Sequence, residues 1–590
     1  MGSLSSPSLD AGALAERWRA AWPEALAVWS RFTRLRPPML CLTASDAKAE
    51  GLTESFAMIR LSDQAVVVNL DDVRKNALED HAVEVLAHEI GHHVLAPANL
   101  TNHAKCIARM RHALPTVEHC APLVANLFTD LLINDRLKRA AELKMERIYQ
   151  KLVPKKPSRL WKVYLRIYEL LWGLERGALG APFRDDRMEG DALLGMRVVR
   201  SYATDFVRGA GGFAALLLPY VMEEAKATEG FQQFGDTMNA GAGGIPDGLA
   251  EMDADETTTV HPALDPFLGD DDVVLEGELM PNEVAAHAPS GGQTRTPFAY
   301  GEILRAAGVV LPDDQIAARY YRERALPHLV PFPSRKGAES TDPLPEGLEP
   351  WDIGMPLDQA DWLESVLQSP RVVPGMTTVQ RLWGTAEGRE PERVPLDLDL
   401  YVDSSGSMPH PYNQVSYLTL AGAIMALSAL RAGARVQAVL WSAKNQVLKT
   451  PGFVRDELSI LQVLAGYFGG GTQFPIPLLR TTYQNRKPSD RPAHIMVISD
   501  DGISTMFDAD EQGNSGWDIA RMALDKCAGG GTFVLNLPER WEAIAKGSPV
   551  YASIARSRDE LGFAVHRVSN WDDLVRFAHE FSRTHYGSGE

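Results

Sequence analysis

The sequence predicts two folded regions of different class: an α+β region over residues 25–235 and a doubly wound α/β region over residues 394–586. Short apolar segments lead into long helical periods in the first region, whereas strands and helices alternate regularly in the second. Between the two regions, residues 227–294 contain 14 Asp or Glu and no Lys or Arg. At roughly 150 residues per domain, the chain of 590 residues is long enough for three or four units.

The first region opens with apolar segments that predict strands near residues 38–43, 55–61 and 65–70. A helix is predicted next, with Asp80 as its N-cap and Pro97 as its stop. Hydrophobic periodicity then predicts long helices at residues 122–144 and 158–176. Together these elements predict an α+β domain.

The second region is predicted to contain strands at residues 396–402, 436–441, 494–499 and 532–537. Helices are predicted between and after them at residues 418–430, 517–527 and 571–581. Strands separated by helices of this length form a parallel sheet with helices on both faces. Ligands of such sheets bind at the carboxyl ends of the strands.

The middle of the chain is predicted to be an acidic linker, residues 236–294, followed by a connector, residues 295–393. The linker has few periodic apolar residues, which predicts disorder. The connector has one clear helix at residues 314–326 and a proline-rich run. The net charge of −18 belongs mostly to residues 227–294, because the other 522 residues carry 59 positive and 63 negative charges.

The bulk composition excludes several classes of protein. The four cysteines are far apart and form no CxxC pair, which argues against a disulfide framework and favours a reducing compartment, the cytoplasm. The first seventeen residues have no apolar core typical of a secretory signal. The apolar runs at 213–222 and 418–430 are shorter than the ~20 residues of a membrane span, so we expect buried helices and no membrane partner. The sequence lacks the basic charge pattern that is typical of nucleic-acid binding, so we expect no nucleic-acid partner.

The sequence His88-Glu89-Ile90-Gly91-His92-His93 contains an HExxH pattern inside the predicted helix after residue 80. His88 and His92 are four residues apart, so both imidazoles lie on one helix face and can share one metal ion. Zinc prefers such nitrogen ligands and, in a catalytic site, keeps a position for water. Glu89 is placed to accept a proton from that water. The pattern therefore predicts a zinc site with Glu89 as a catalytic base.

A third zinc ligand is predicted from a polar stripe on the next long helix. Asn126, Asp130 and Asn134 recur every four positions on an otherwise apolar helix. If the stripe faces the HExxH helix, Asp130 completes the ligand set, and Asn126 and Asn134 are hydrogen-bond donors that orient the ligands. If it faces solvent, the helix is only amphipathic. The weaker alternative ligands are His93, Glu118 and His119.

Residues 30–145 resemble a zinc metallopeptidase domain found upstream of von Willebrand factor A domains in bacterial proteins. In that family, HExxH is followed by a helix with an N-x-x-x-D-x-x-I-N pattern, which here falls on Asn126, Asp130, Ile133 and Asn134. The resemblance implies a zincin-like fold and zinc-dependent peptide hydrolysis, with His88, His92 and Asp130 as zinc ligands.

The second region contains a set of hard oxygen donors in three separated elements. The strand at 396–402 runs into Asp403-Ser404-Ser405-Gly406-Ser407, a Gly-rich loop ends in Thr472, and the strand at 494–499 is followed by Asp500. Carboxylate and hydroxyl oxygens suit Mg²⁺ and leave a coordination position for an outside carboxylate. A second aspartate, Asp501, directly follows Asp500 and is an alternative to it as the oxygen donor.

Residues 394–586 look like a von Willebrand factor A domain, whose fold is Rossmann-like and whose metal-ion-dependent adhesion site has these three elements. The resemblance implies that Ser405, Ser407 and Thr472 bind Mg²⁺, with Asp403 and Asp500 acting directly or through water. It also implies that an acidic residue of a partner protein completes the site.

Two functional hypotheses follow. In the first, the chain is a zinc metallopeptidase whose von Willebrand A domain recruits a protein substrate or a regulator; the pairing resembles CoxE-type proteins and implies an AAA+ ATPase of the MoxR class as partner. In the second, the chain is a non-enzymatic adaptor that couples such an ATPase to a client, and the zinc is structural or absent. A weaker third hypothesis is a metal-chelatase subunit, where the HExxH helix is not expected.

Overall fold

The computed structural model describes residues 7–53, 55–225, 244–268, 293–336, 341–387, 393–487 and 490–586. The chain divides into two compact units. The first unit comprises Met1–Arg324 and Tyr412–Val415, and the second comprises Ala325–Pro411 and Ser416–Glu590. Within these described ranges, no helix is both long and apolar enough to cross a membrane.

The first unit is mainly helical and has one small sheet. Its strands are β1 (Met39–Cys41), β2 (Ala57–Arg60) and β3 (Ala65–Asn69). Its helices are α1 (Pro7–Trp29), α2 (Ala44–Ala49), α3 (Leu70–Lys75), α4 (Ala82–Val94), α5 (Leu100–Ala113), α6 (Ala121–Ala141), α7 (Met145–Leu152), α8 (Arg159–Leu171), α9 (Asp186–Ser201), α10 (Phe206–Glu224), α11 (Pro297–Ala306) and α12 (Asp313–Ala325). The strand order is β1-β3-β2, with β1 parallel and β2 antiparallel to β3. β2 therefore lies at an edge of this sheet.

Helix α4 lies at the centre of the first unit. It packs against α1, β2 and α6, and its apolar side chains Leu86 and Ile90 are fully buried with Trp18 of α1. The prediction that Asp80 caps this helix is wrong. His81 is the N-cap residue and makes no side-chain cap bond, while the exposed Asp80 carboxylate pairs with Arg17 at 3.3 Å.

The glycine of the HEIGHH segment permits this packing. A Cβ atom on Gly91 would lie 2.5 Å from Ile133 Cγ2 and 2.7 Å from Trp29 Cζ2. Trp29 is held there by a hydrogen bond from its indole Nε1 to the Ala87 carbonyl oxygen at 2.7 Å. Gly91 is therefore the residue that lets α4 approach both α1 and α6.

The strands of the second unit are β4 (Ser334–Lys336), β5 (Thr341–Pro350), β6 (Val379–Glu387), β7 (Arg393–Pro395), β8 (Asp397–Asp403), β9 (Val436–Trp441), β10 (Val447–Lys449), β11 (Ala493–Ser499), β12 (Ala528–Leu535) and β13 (Ala564–Arg567). Its helices are α13 (Trp362–Gln368), α14 (Tyr417–Arg431), α15 (Glu457–Ala465), α16 (Ile476–Tyr483), α17 (Gly516–Cys527), α18 (Trp541–Ile544), α19 (Pro549–Arg556) and α20 (Trp571–Tyr586). β4 pairs with β7 and β5 with β6, each antiparallel.

The main sheet of the second unit has six strands in the order β10-β9-β8-β11-β12-β13. All neighbours are parallel except β10, which is antiparallel to β9. Helices α14, α15 and α20 cover one face, and α16 and α17 cover the other. The strand order reverses between β8 and β11, which makes that point the topological switch of the sheet. The predicted helix-flanked sheet is therefore present, and it is compatible with a Rossmann-like domain.

Part of the predicted linker packs on the first unit. The sequence predicts disorder for residues 236–294, yet residues 244–268 contain two short 3-10 helices. Asp253 and Asp255 of this segment pair with Arg109 of α5 at 3.2 and 2.7 Å, and the buried Glu256 pairs with Arg295. Acidic side chains here thus have basic partners distant in the sequence. Residues 236–243 and 269–292 lie outside the described residues.

We predict that Gly91→Ala destabilises the first unit by about 1–3 kcal/mol, because the added methyl group overpacks the contact with Ile133 and Trp29. The free energy of unfolding is measured by urea denaturation of the full chain. Gly190→Ala in α9 is the matched control, since its Cβ would meet no atom within 4 Å and alanine favours a helix by up to ~1 kcal/mol. Equal stability of the Gly91 variant and the wild type would contradict the packing argument.

Candidate metal centre

Three buried side chains of the first unit converge on one point. His88 and His92 of α4 and Asp130 of α6 each place one ligand atom within 4.8 Å of the others. The Asp130 Oδ1 lies 3.6 Å from His88 Nε2 and 3.4 Å from His92 Nε2, and the two Nε2 atoms are 3.2 Å apart. Within the part of the chain that the structure describes, this is the one group of three or more His, Cys, Asp or Glu side chains with such spacing. It could hold a metal ion.

The polar stripe of α6 faces α4 and not solvent. Asn126, Asp130 and Asn134 are all buried, with exposures of 0%, 6% and 1%. Of the weaker alternative ligands, Glu118 is exposed and pairs with Arg111 at 3.0 Å, and His119 is exposed. The third alternative, His93, does not belong to the converging group, and burial lowers its pKa. The structure therefore places Asp130, and none of the three alternatives, beside the two imidazoles.

Hydrogen bonds fix the orientation of both imidazoles. The His92 Nδ1 lies 3.1 Å from the Ala96 carbonyl oxygen, which can only accept, so this nitrogen carries the proton. The His88 Nδ1 lies 2.7 Å from the Asn134 Oδ1 and donates to it. Both Nε2 atoms then present lone pairs toward each other and toward the Asp130 carboxylate. Such an electron-rich, buried set fits a cation, because without one the lone pairs and the carboxylate repel each other.

The two asparagines of α6 differ in role. Asn126 donates from Nδ2 to the Asp130 Oδ2 at 3.2 Å and so leaves Oδ1 directed to the imidazoles. Asn134 accepts from His88 and donates from its Nδ2 to the Tyr149 and Tyr168 hydroxyls at 2.8 and 2.9 Å. The prediction that both asparagines donate to the ligand set is wrong for Asn134, which accepts a hydrogen bond from His88.

Three tyrosines form a row behind Asn134 that was not predicted from the sequence. The Tyr149 and Tyr168 hydroxyl oxygens are 2.8 Å apart, and those of Tyr164 and Tyr168 are 3.0 Å apart. Burial, reinforced by the neighbouring Tyr149, raises the pKa of Tyr164 and Tyr168 well above the usual value, so both stay protonated. Tyr164 and Tyr168 are four residues apart on one helix, which is the only local signal of the row. Through Asn134, the row ties α7 and α8 to α6, the helix that carries Asp130.

Glu89 lies on the wall of a cavity of about 80 Å³ that also reaches His88 and Asp130. Its side chain is nearly fully buried, with an exposure of 2%. Tyr149 and Tyr164 line the same cavity. The HExxH glutamate and two of the three candidate ligands thus share a space that small molecules can enter.

In the second unit, the predicted oxygen donors of the DSSGS segment follow β8. The Asp403 Oδ1 accepts from the Ser405 amide at 2.8 Å, and its Oδ2 accepts from the Ser499 hydroxyl at 2.6 Å. The Ser405 and Ser407 hydroxyl oxygens are 3.1 Å apart. Ser405 also forms a β-bridge with Gly470, which brings the Gly-rich loop beside this segment.

Thr472 and Asp500 both lie beside Gly502, just after β11. A Cβ atom on Gly502 would lie 2.4 Å from Thr472 Cγ2 and 2.9 Å from Asp500 Oδ1, so the two side chains flank the same glycine. Burial raises the pKa of Asp403 to about 6, and the negative charge of Asp500 adds to this shift. The exposed Asp501 instead accepts a hydrogen bond from the Tyr551 hydroxyl at 3.1 Å. Of the doubled pair, Asp500 is the residue beside Thr472.

We predict that Asp130→Asn lowers the zinc affinity of the full chain by more than the ~10–100-fold typical of residues that only orient a ligand. The change keeps the shape of the side chain and removes its charge. Affinity is measured by competition with a chromophoric chelator. Asp135→Asn is the matched control, because Asp135 is also buried on α6 but pairs with Arg139. Unaltered zinc affinity in the Asp130 variant would exclude this residue as a ligand.

The chain matches no model of a known protein family, and no curated protein matches it.

Proposed function

We propose that the first unit is a zinc metallopeptidase in which His88, His92 and Asp130 hold the metal and Glu89 acts as the general base. The observation that carries the proposal is the convergence of the three ligand atoms beside a cavity that Glu89 also lines. The HExxH spacing and the helix pattern around Asp130 resemble those of the metallopeptidase family described above. That resemblance supports the same conclusion.

The number of ligands supports a catalytic site over a structural one. Structural zinc sites are usually closed by four protein ligands, whereas catalytic sites have three and keep one position for water. Among the described residues, no fourth His, Cys, Asp or Glu joins the group. Zinc held in this way would polarise the substrate carbonyl and lower the pKa of a bound water to about 7.

The proposed roles of the protein residues follow from their positions. The Glu89 carboxylate accepts the proton of the attacking water and delivers it to the leaving amine. Tyr149 and Tyr164 line the same cavity, and we assign to them hydrogen bonding to a substrate oxygen. Asn134 keeps the His88 Nε2 lone pair directed at the metal.

Strand β2 is the proposed support for the substrate backbone. It lies at the edge of its sheet, and Ser55 and Phe56, which immediately precede it, line the cavity. An extended peptide that adds to this edge would gain main-chain hydrogen bonds and pass beside Glu89. This arrangement is the reason for proposing a peptide and not a small metabolite as the substrate.

The peptidase proposal predicts that Glu89→Gln retains zinc and loses cleavage. The probe is a library of tryptic peptides from a bacterial proteome, incubated with the zinc-loaded full chain and analysed by mass spectrometry. We expect cleavage to fall at least ~10²-fold, the lower range for the loss of a general base. Glu84→Gln in the first turn of α4 is the matched control and should cleave normally. Equal cleavage by the Glu89 variant, or none by the wild type, would favour the non-enzymatic adaptor.

We also propose that the second unit binds Mg²⁺ through Ser405, Ser407 and Thr472, with Asp403 and Asp500, and uses it to recruit a protein partner. The supporting observation is that Asp403 ends β8 and Asp500 directly follows β11, on the two sides of the topological switch, where ligands of such sheets bind. The resemblance to von Willebrand A domains supports an acidic residue of the partner as the last ligand, and a MoxR-type AAA+ ATPase as that partner.

The doubled aspartate offers a direct test of this second site. We predict that Asp500→Asn weakens Mg²⁺ binding at least ~10-fold, since Asp500 lies beside Thr472 and a lost charge contact costs ~1.5–3 kcal/mol. Asp501→Asn should bind Mg²⁺ normally, because Asp501 is directed to Tyr551. Isothermal titration calorimetry with MgCl₂ measures both. If Asp501→Asn weakened Mg²⁺ binding and Asp500→Asn did not, Asp501 would be the residue that acts in the Mg²⁺ site.

A further inference from the structure

The cavity beside the candidate metal centre is lined by both polar and apolar side chains. The polar lining residues are Ser55, His88, Glu89, Asp130, Asn134 and the two tyrosines. The apolar lining residues come from the segment before β2 and from α4, α7 and α8: Phe56, Val85, Met145, Ile148, Leu152 and Trp161. A ligand that reaches the metal would therefore have apolar side chains in the same cavity for an adjoining group, and we refer to these side chains as the apolar wall.

None of the described residues that line this cavity is Lys or Arg. An acidic side chain buried here would have no cationic partner other than the metal, and an unpaired buried charge costs several kcal/mol. The two carboxylates in the lining, Glu89 and Asp130, belong to the proposed catalytic set and are not available to pair with a basic side chain. The residues that line the cavity thus disfavour substrate side chains of either charge.

The volume of the cavity selects among apolar groups. It is about 80 Å³, roughly half of the ~150 Å³ of an engineered apolar cavity that holds one benzene molecule. A space of this size suits a branched aliphatic group of three or four carbons better than an aromatic ring. A pocket discriminates between side chains by size only if the residues that line it are held in place.

The walls are held by the tyrosine row. Tyr149 of α7 is bonded to Tyr168 of α8, and both accept from Asn134 of α6. Met145 and Ile148, which line the cavity, are on the same short helix as Tyr149 and are buried. The hydrogen bonds that orient His88 therefore also fix the apolar wall relative to the metal ligands.

We propose that this cavity is the specificity pocket of the peptidase, and that it takes an aliphatic side chain such as Val or Leu next to the scissile bond. The inference rests on the proposed function, and it names the substrate class: peptides with a branched aliphatic residue at the cleavage site. A single methylene in an apolar pocket changes specificity by about 10–200-fold, so the preference is measurable.

The test uses amino-acid hydroxamates, which chelate the metal and carry one side chain each. The glycine, leucine, phenylalanine and aspartate hydroxamates are titrated into the zinc-loaded full chain by calorimetry. We expect the leucine compound to bind at least ~10-fold more tightly than the glycine compound, which reports metal chelation alone. The phenylalanine and aspartate compounds should bind no more tightly than the glycine compound.

Enlarging the pocket should change this order. Met145→Ala is expected to improve binding of the phenylalanine hydroxamate relative to the leucine hydroxamate at least ~10-fold. Leu152→Ala, at a half-buried position of the same wall, is a second variant in case the first does not fold. Met110→Ala is the matched control, because Met110 is buried in α5 and does not line the cavity.

Three outcomes are distinguishable. Equal affinity for all four hydroxamates, or tighter binding of a charged one, would overturn the pocket while Glu89-dependent cleavage of the peptide library could still stand. Selective binding of the leucine compound without cleavage of any peptide would support the pocket and contradict the peptidase. Failure of every hydroxamate to bind would overturn both.

Discussion

The contact between α4 and α6 at Gly91 and Ile133 is the constraint on which the first unit depends. It brings two imidazole lone pairs and a carboxylate together in a buried place, with Asp130 at 6% exposure and His92 at 0%. Grouping these charges and dipoles without a cation is unfavourable. Metal binding and folding of this unit are therefore expected to be coupled, since the ligands converge only when the two helices are packed.

The same interactions that orient the ligands also shape the space around them. Asn134 links His88 to Tyr149 and Tyr168, and these tyrosines fix the helices that form the apolar wall of the cavity. In the second unit, Asp403 ends β8 and Asp500 directly follows the neighbouring parallel strand β11, so the sheet itself brings them to one edge. The two proposed sites thus differ in construction, because the first is built from helices and the second on strand ends.

Features that depend on the spacing of residues within one helix or strand could be predicted from the sequence. The HExxH pair needs only the four-residue helix period, and Asp130 was found because the polar stripe on α6 has the same period. The aspartate and serines after β8 followed from one strand and its turn. In each case the decisive information lies within about ten residues.

Features that depend on distant contacts could not be predicted. The tyrosine row joins α6, α7 and α8, and nothing in the local sequence relates Tyr149 to Asn134. From the sequence, Asp253 and Asp255 were assigned to an acidic linker. Their partner Arg109 is 144 and 146 residues away, so the pairing has no local signal. Asp80 has the side chain of a helix cap, yet α4 begins at Ala82 and has His81 as its N-cap residue. The choice between Asp500 and Asp501 required the neighbouring Thr472 and Tyr551.

We propose above all that one metal ion binds between His88, His92 and Asp130 and is accessible from the cavity. Diffraction data collected on both sides of the zinc absorption edge, from crystals of the zinc-loaded chain, test this most directly. We expect one anomalous peak at ~2.0–2.2 Å from both Nε2 atoms and from an Asp130 oxygen, with a non-protein fourth ligand. A peak elsewhere, or a fourth protein side chain closing the site, would contradict it.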